Sequence, residues 1–83
     1  VKYSVVSNGC LIEGTVENSV IGRGCVIKKG AVVKNSVILP GALIGENAHI
    51  ENQVVDKRAK IIRAKEVIAP PEKPGYVRRE DTL

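Results

Sequence analysis

The 83-residue sequence has no Phe, Trp or Met and only two Tyr. A globular core normally anchors on aromatic rings and Leu, so this chain has to build its interior by other means. Two Cys and one His are too few for a structural zinc site. No apolar run approaches the roughly 20 residues that span a bilayer, and no basic-then-apolar leader opens the chain. A soluble protein without a membrane partner is expected. There is also no Gly-rich loop with a basic residue and metal-binding carboxylates, the set that nucleotidyl transfer requires.

The residues present are as biased as those missing: thirteen Val and nine Ile against four Leu. Side chains branched at Cβ favour strands, and a core made almost only of them points to strands that stack identical layers. Charge is unevenly placed. Residues 1–56 carry five basic and five acidic side chains, so the net +4 lies wholly in residues 57–83, with eight basic and four acidic. No aromatic interleaves with the basic run from Lys57 to Lys65, so no base-stacking surface and no nucleic-acid partner is expected.

The sequence repeats. A shift of 17 residues superimposes Asn18, Asn35 and Asn52; Ile21, Ile38 and Val55; Ile27, Ile44 and Ile61. A shift of 15 carries the pattern back from Ile21 to Val6, from Cys25 to Cys10 and from Ile27 to Ile12. One copy has lost two residues between Ile12 and Val16.

Within a copy the aliphatics fall at Ile21, Ile27, Val33 and Ile38, a spacing of six, six and five that no α-helical stripe produces. Two residues before each stands a small one: Ser19, Cys25, Ala31, Ser36, with Ala42 and Ala48 in the next copy. On a strand whose side chains alternate, both members of each pair point inward. Gly9, Gly24, Gly30, Gly41 and Asn47 lie between the pairs and tolerate the positive φ of a tight corner. The predicted shape is a triangular prism of three short strands per coil, each coil rising about 4.8 Å and burying its aliphatics only against the coils above and below. A ring would overpack so narrow an interior.

The units IGRGCV, IKKGAV, ILPGAL and IGENAH resemble the hexapeptide repeat of left-handed parallel β-helices. The hand is implied by the resemblance, since ordinary parallel crossovers are right-handed. The longer segments GCLIEGTVENSV, KNSVILPGALIG and VVDK resemble the C-terminal β-helix domain of bacterial glucose-1-phosphate adenylyltransferases, the ADP-glucose pyrophosphorylases of glycogen synthesis. VDK and the tail through PGYVRREDTL are more similar to the regulatory-type subunit. The expected fold is all-β, with about four coils over residues 1–62 and a Pro-containing tail over 63–83. In the tail GYVRRE returns as a capping strand to pair with the last coil. The resemblance implies a cytoplasmic fragment of a larger protein. An N-terminal domain outside these residues would use Mg²⁺ with ATP, leaving this fragment without catalytic residues or a cofactor. Its partners would be that domain, other subunits and a phosphorylated effector.

Three alternatives stay open: this scaffold, a fragment of a hexapeptide acyltransferase, or the β-helix of another sugar-phosphate nucleotidyltransferase. An acyltransferase would need His49 as general base, with an orienting partner and a cleft; by register His49 takes an outward place on one side of the prism. Cys10 and Cys25 occupy the same inward place in adjacent coils, about 5 Å apart. Stacked side chains point the same way, and the implied cytosol keeps thiols reduced, so free thiols are expected.

Outward, one residue before each inward aliphatic, come Val5, Val20, Val37 and Val54 on one face and Leu11, Val26 and Leu43 on the next. Seven aliphatics pointing away from a core mark a candidate interface. Arg58 and Arg63 are candidate contacts for an anionic effector. Changing both to Ala is expected to weaken effector activation of the intact enzyme; an unaltered activation curve would remove them from consideration.

Overall fold

A computed structural model describes residues 3–79 and Leu83. Val1, Lys2 and the Glu80 at the end of the expected GYVRRE strand lie outside the described residues. Four coils are wound from β1 (Val5–Val6), β2 (Leu11–Ile12) and β3 (Thr15–Glu17); β4 (Val20–Ile21), β5 (Val26–Ile27) and β6 (Val32–Lys34); β7 (Val37–Ile38), β8 (Leu43–Ile44) and β9 (His49–Glu51); and β10 (Gln53–Val55), β11 (Lys60–Ile61) and β12 (Glu66–Ile68). A last strand, β13 (Gly75–Val77), follows. Stacking gives three sheets: β1-β4-β7-β10-β13, β2-β5-β8-β11 and β3-β6-β9-β12, called the first, second and third faces below. Every neighbouring pair is parallel. The chain is an all-β parallel solenoid, consistent with the left-handed β-helix expected from the hexapeptide units.

The register is the repeat made physical. Ile21 lies over Val6 and under Ile38; Ile27 lies between Ile12 and Ile44; Val33 lies between Val16 and Ile50. Ile21, Ile27, Val33, Ile38, Ile44, Ile50, Val55 and Ile61 are fully buried, and the small partners Ser19, Cys25, Ala31, Ser36, Ala42 and Ala48 are buried beside them. At about 1.5–3 kcal/mol for each fully buried aliphatic, these stacked columns supply most of the driving force.

The corner between the third and first faces takes one residue in the left-handed conformation: Asn18 at φ 48°, Asn35 at 50° and Asn52 at 58°. So sharp a turn leaves the following amide without a ladder partner, and the serine one coil below accepts it. Ser19 N donates to Ser4 Oγ at 3.0 Å, Ser36 N to Ser19 Oγ at 3.1 Å and Gln53 N to Ser36 Oγ at 3.2 Å. The Ser19 and Ser36 hydroxyls in turn donate to the carbonyls of Glu17 and Lys34.

The short copy closes on Gly14. A Cβ there would lie 2.4 Å from the Ala31 carbonyl oxygen and 2.8 Å from that of Lys28, so the shortened corner fits under the next coil only as glycine.

One expectation needs correction. The coil does not leave its path after Ile62: β12 continues the third face, with Val67 over Ile50, and the departure comes after Ile68. Lys65 stands where Ala31 and Ala48 stood, which obscures the repeat. No strand of this face lies above it among the described residues, so the long side chain has an exit, and Val67 still supplies the inward aliphatic. The tail then returns as expected. β13 pairs with β10, setting Tyr76 over Val54 and Val77 over Val55. Leu83 exchanges backbone hydrogen bonds with Lys60 and Ile62 over β11.

Two substitutions test these dependencies. Gly14→Ala is expected to lower unfolding free energy by about 1–3 kcal/mol through overpacking. Ser36→Ala should cost about 1–3 kcal/mol by leaving the buried Gln53 amide without an acceptor. Urea denaturation measures both.

Candidate docking faces

The three faces differ in what they turn outward. On the first, Val5, Val20, Val37 and Val54 form one column, which Tyr76 extends. Val5, Val20, Val37 and Tyr76 are exposed, Val5 at 62% and Tyr76 at 57%, while Val54 is half-buried. On the second, Leu11 is exposed and Val26 and Leu43 above it are half-buried, and the column ends in Lys60. The structure thus turns all seven expected aliphatics outward, though three are partly covered by their neighbours. Sequence reasoning missed Tyr76. Its signal was the match of GYV to the inward and outward alternation of QVV, masked by three prolines.

The third face is mixed. Its outward rows hold Glu17 and Lys34, whose charges are 4.0 Å apart, and His49 with Glu51, beside Val32 and the exposed Ile68. His49 sits between Val32 and Glu66, in the outward place its register implied. Its Nε2 lies 3.3 Å from Glu51 Oε1 without the alignment of a hydrogen bond.

At the edge of the second face Lys28, Leu43, Gly45, Glu46, Ile62 and Lys65 surround a notch of about 360 Å³. His49 is not among its walls. A Cβ on Gly45 would meet the Ile61 carbonyl oxygen at 2.7 Å, so this place carries no side chain where the neighbouring coils have Lys28 and Ile62. The notch was not foreseen; its signal was a glycine in a column of long side chains.

Arg58 and Arg63, the candidate effector contacts, are both exposed, at different corners of the second face. Arg58 has φ 59° in the column where Gly9, Gly24 and Gly41 have 78°, 70° and 78°. Left-handed backbone costs a non-glycine residue about 1–2 kcal/mol. Its neighbour Asp56 fastens the tail: Asp56 N donates to the Val77 carbonyl at 2.8 Å. The Lys57 amide, donating to Asp56 Oδ1 at 2.7 Å, holds the carboxyl below its ordinary range, helped by the side chain of Tyr76 and by Arg79.

Both cysteines are free, as expected. The Cys10 thiol donates to the Gly22 carbonyl at 3.0 Å and the Cys25 thiol to that of Leu39 at 3.1 Å. Burial raises the Cys25 thiol above its ordinary value, against the opposing pull of the Ala42 amide, so it is a poor nucleophile. Cys10, in the first coil, is only half-buried. Among the described residues no three His, Cys, Asp or Glu stand together as a metal site, and no helix is long and apolar enough to cross a membrane.

Stacked hexapeptide coils presenting two aliphatic faces define a hexapeptide-repeat β-helix protein. The chain belongs to the GlmU-like, C-terminal hexapeptide family, which matches residues 1–74. It is similar to glycogen biosynthesis protein GlgD of Bacillus subtilis (strain 168), 52% identical over 79 residues, which cover 95% of this chain and 23% of that protein. GlgD of Geobacillus stearothermophilus is 67% identical over 33 residues, 40% of this chain and 10% of that protein. A glucose-1-phosphate adenylyltransferase of Geobacillus stearothermophilus is 58% identical over 33 residues, 40% of this chain and 8% of that protein. The chain therefore spans less than a quarter of the length of each. No solved structure matches.

Because the Asp56 carboxyl is depressed in the folded state, its hold on the tail is present above the ordinary carboxylate pKa and is lost as pH falls through the lowered value. Amide-exchange protection of β13 is expected to fall over that acidic window. In Asp56→Asn protection should be lower at neutral pH and lose this pH step.

Proposed function

We propose that the chain is the C-terminal β-helix of a cytoplasmic glycogen-synthesis protein of the glucose-1-phosphate adenylyltransferase type. In that role it joins subunits and conveys effector binding. The identity with GlgD over 79 residues carries the assignment, and it supports the regulatory-type subunit. Mg²⁺ and ATP chemistry would belong to the remainder of such a protein.

The column Val5, Val20, Val37, Val54 and Tyr76 carries the joining role. Along it β1, β4 and β7 place only Val and Ile. The described residues measure 28 × 25 × 20 Å, so one face offers at most about 700 Å². A stable interface uses about 800 Å² from each partner. The first face therefore associates weakly by itself, and a larger neighbouring surface completes the contact.

Val20→Asp with Val37→Asp should leave the fold intact, because both side chains are exposed, and should shift the intact protein towards smaller species by at least about tenfold in dissociation constant. Sedimentation of the intact protein reads this. An unaltered assembly with normal stability would overturn the role of this face.

A further inference from the structure

The second face joins an aliphatic row, such as the first face also has, to a basic frame. Leu11, Val26 and Leu43 form the row. Arg23, Lys28, Arg58, Lys60, Arg63 and Lys65 stand on this face or its two corners, against the carboxylates of Glu13, Glu46 and Asp56. None of these six cations makes an ion pair among the described residues; the Lys-carboxylate pair formed there, Lys34 with Glu17, lies on the third face. Cations without an ion pair among the described residues, set around partly exposed aliphatics, leave two kinds of surface to be satisfied by one partner.

The notch narrows the kind of partner. Leu43 and Ile62 give it apolar walls, while Lys28 and Lys65 bring two ammonium groups and Glu46 one carboxylate. It stays open because the Gly45 position cannot hold a side chain. An apolar stem ending in a single negative charge meets all of these walls: methylenes against Leu43 and Ile62, carboxylate between the lysines. Glu46 disfavours a dianion such as phosphate. A bilayer would cover the row without filling a recess at its side, and with no aromatic on this face nucleobases have nothing to stack on.

We propose that the second face docks an acidic protein surface, with an aliphatic row of the partner lying on Leu11, Val26 and Leu43 and a carboxylate side chain entering the Gly45 notch between Lys28 and Lys65. This deepens the docking role proposed above, on a different face from the Val column. The two can fail separately, because each has its own variants and the test here needs no assembled protein.

The probe is a synthetic amphipathic helix with a leucine stripe flanked by glutamates, titrated calorimetrically into the 83-residue chain. Micromolar binding is expected, weakening as salt rises from roughly 50 to 300 mM. Lys28→Glu with Lys65→Glu should weaken it at least tenfold, and a peptide with lysines in place of glutamates should then bind that variant in preference to the original chain. Leu43→Asp should also weaken binding at least tenfold, and Val37→Asp should leave it unchanged. The proposal is overturned by no binding at millimolar peptide, or by equal binding of a peptide with Gln for Glu. Displacement of the peptide by inorganic phosphate or by phosphatidylserine vesicles at comparable concentration would also overturn it, in favour of those ligands.

Discussion

Each coil of this protein can be satisfied only by the coil next to it. A strand of two or three residues makes no hydrogen bonds within itself, and a single triangle of side chains encloses no volume. All ladder partners and most apolar contacts therefore come from one layer away, about 4.8 Å along the axis. The serine column shows how strict this is. Asn18, Asn35 and Asn52 turn the corner so tightly that the next amide has no ladder partner, and the hydroxyl of Ser4, Ser19 or Ser36 from the preceding coil takes it. A like residue must recur at each layer or a buried donor goes unpaired.

The same demand explains where variety is permitted. Inward places must match in size from coil to coil, so below the last coil they read Val or Ile at the sides and Ser, Cys, Ala or Gly near the corners, while Gln53 and Lys65 take small places only in the last coil. Outward places answer to nothing inside the prism. They differ by face: aliphatic on the first, aliphatic within a basic frame on the second, and on the third a mixture in which Lys34 meets Glu17 and His49 stands beside Glu51. Neighbouring residues of one strand pair thus serve separate ends. Val20 and Ile21 differ by one methylene, yet Ile21 is fully buried and Val20 is 45% exposed.

Most of the fold was legible because a strict period in the chain becomes a strict column in space. Spacings of 15 and 17 predicted which residues stack, and the registers of Val6 with Ile21 and of Ile27 with Ile44 agree. The period misled where an end residue broke it. Lys65 in a column of alanines looked like the end of the coil, yet Val67 still stacks on Ile50, since a backbone ladder does not require a small side chain where no strand of that face lies above it among the described residues. Arg58 was legible as a cation but not as a corner, because the left-handed conformation usually reserved for glycine is imposed there by the coils and not by the residue.

The sequence by itself determined the period, the inward and outward sorting of side chains, and the exclusion of aromatics from the core, because these follow from strand alternation and the width of one coil. Only the tertiary structure decided what gathers across coils. It placed Lys28, Gly45, Ile62 and Lys65, spread over 38 residues, around one notch, and it set Tyr76 on the valine column across a proline-containing tail. Such groupings depend on the rise and closure of successive layers, and those distances exist only once the layers are stacked.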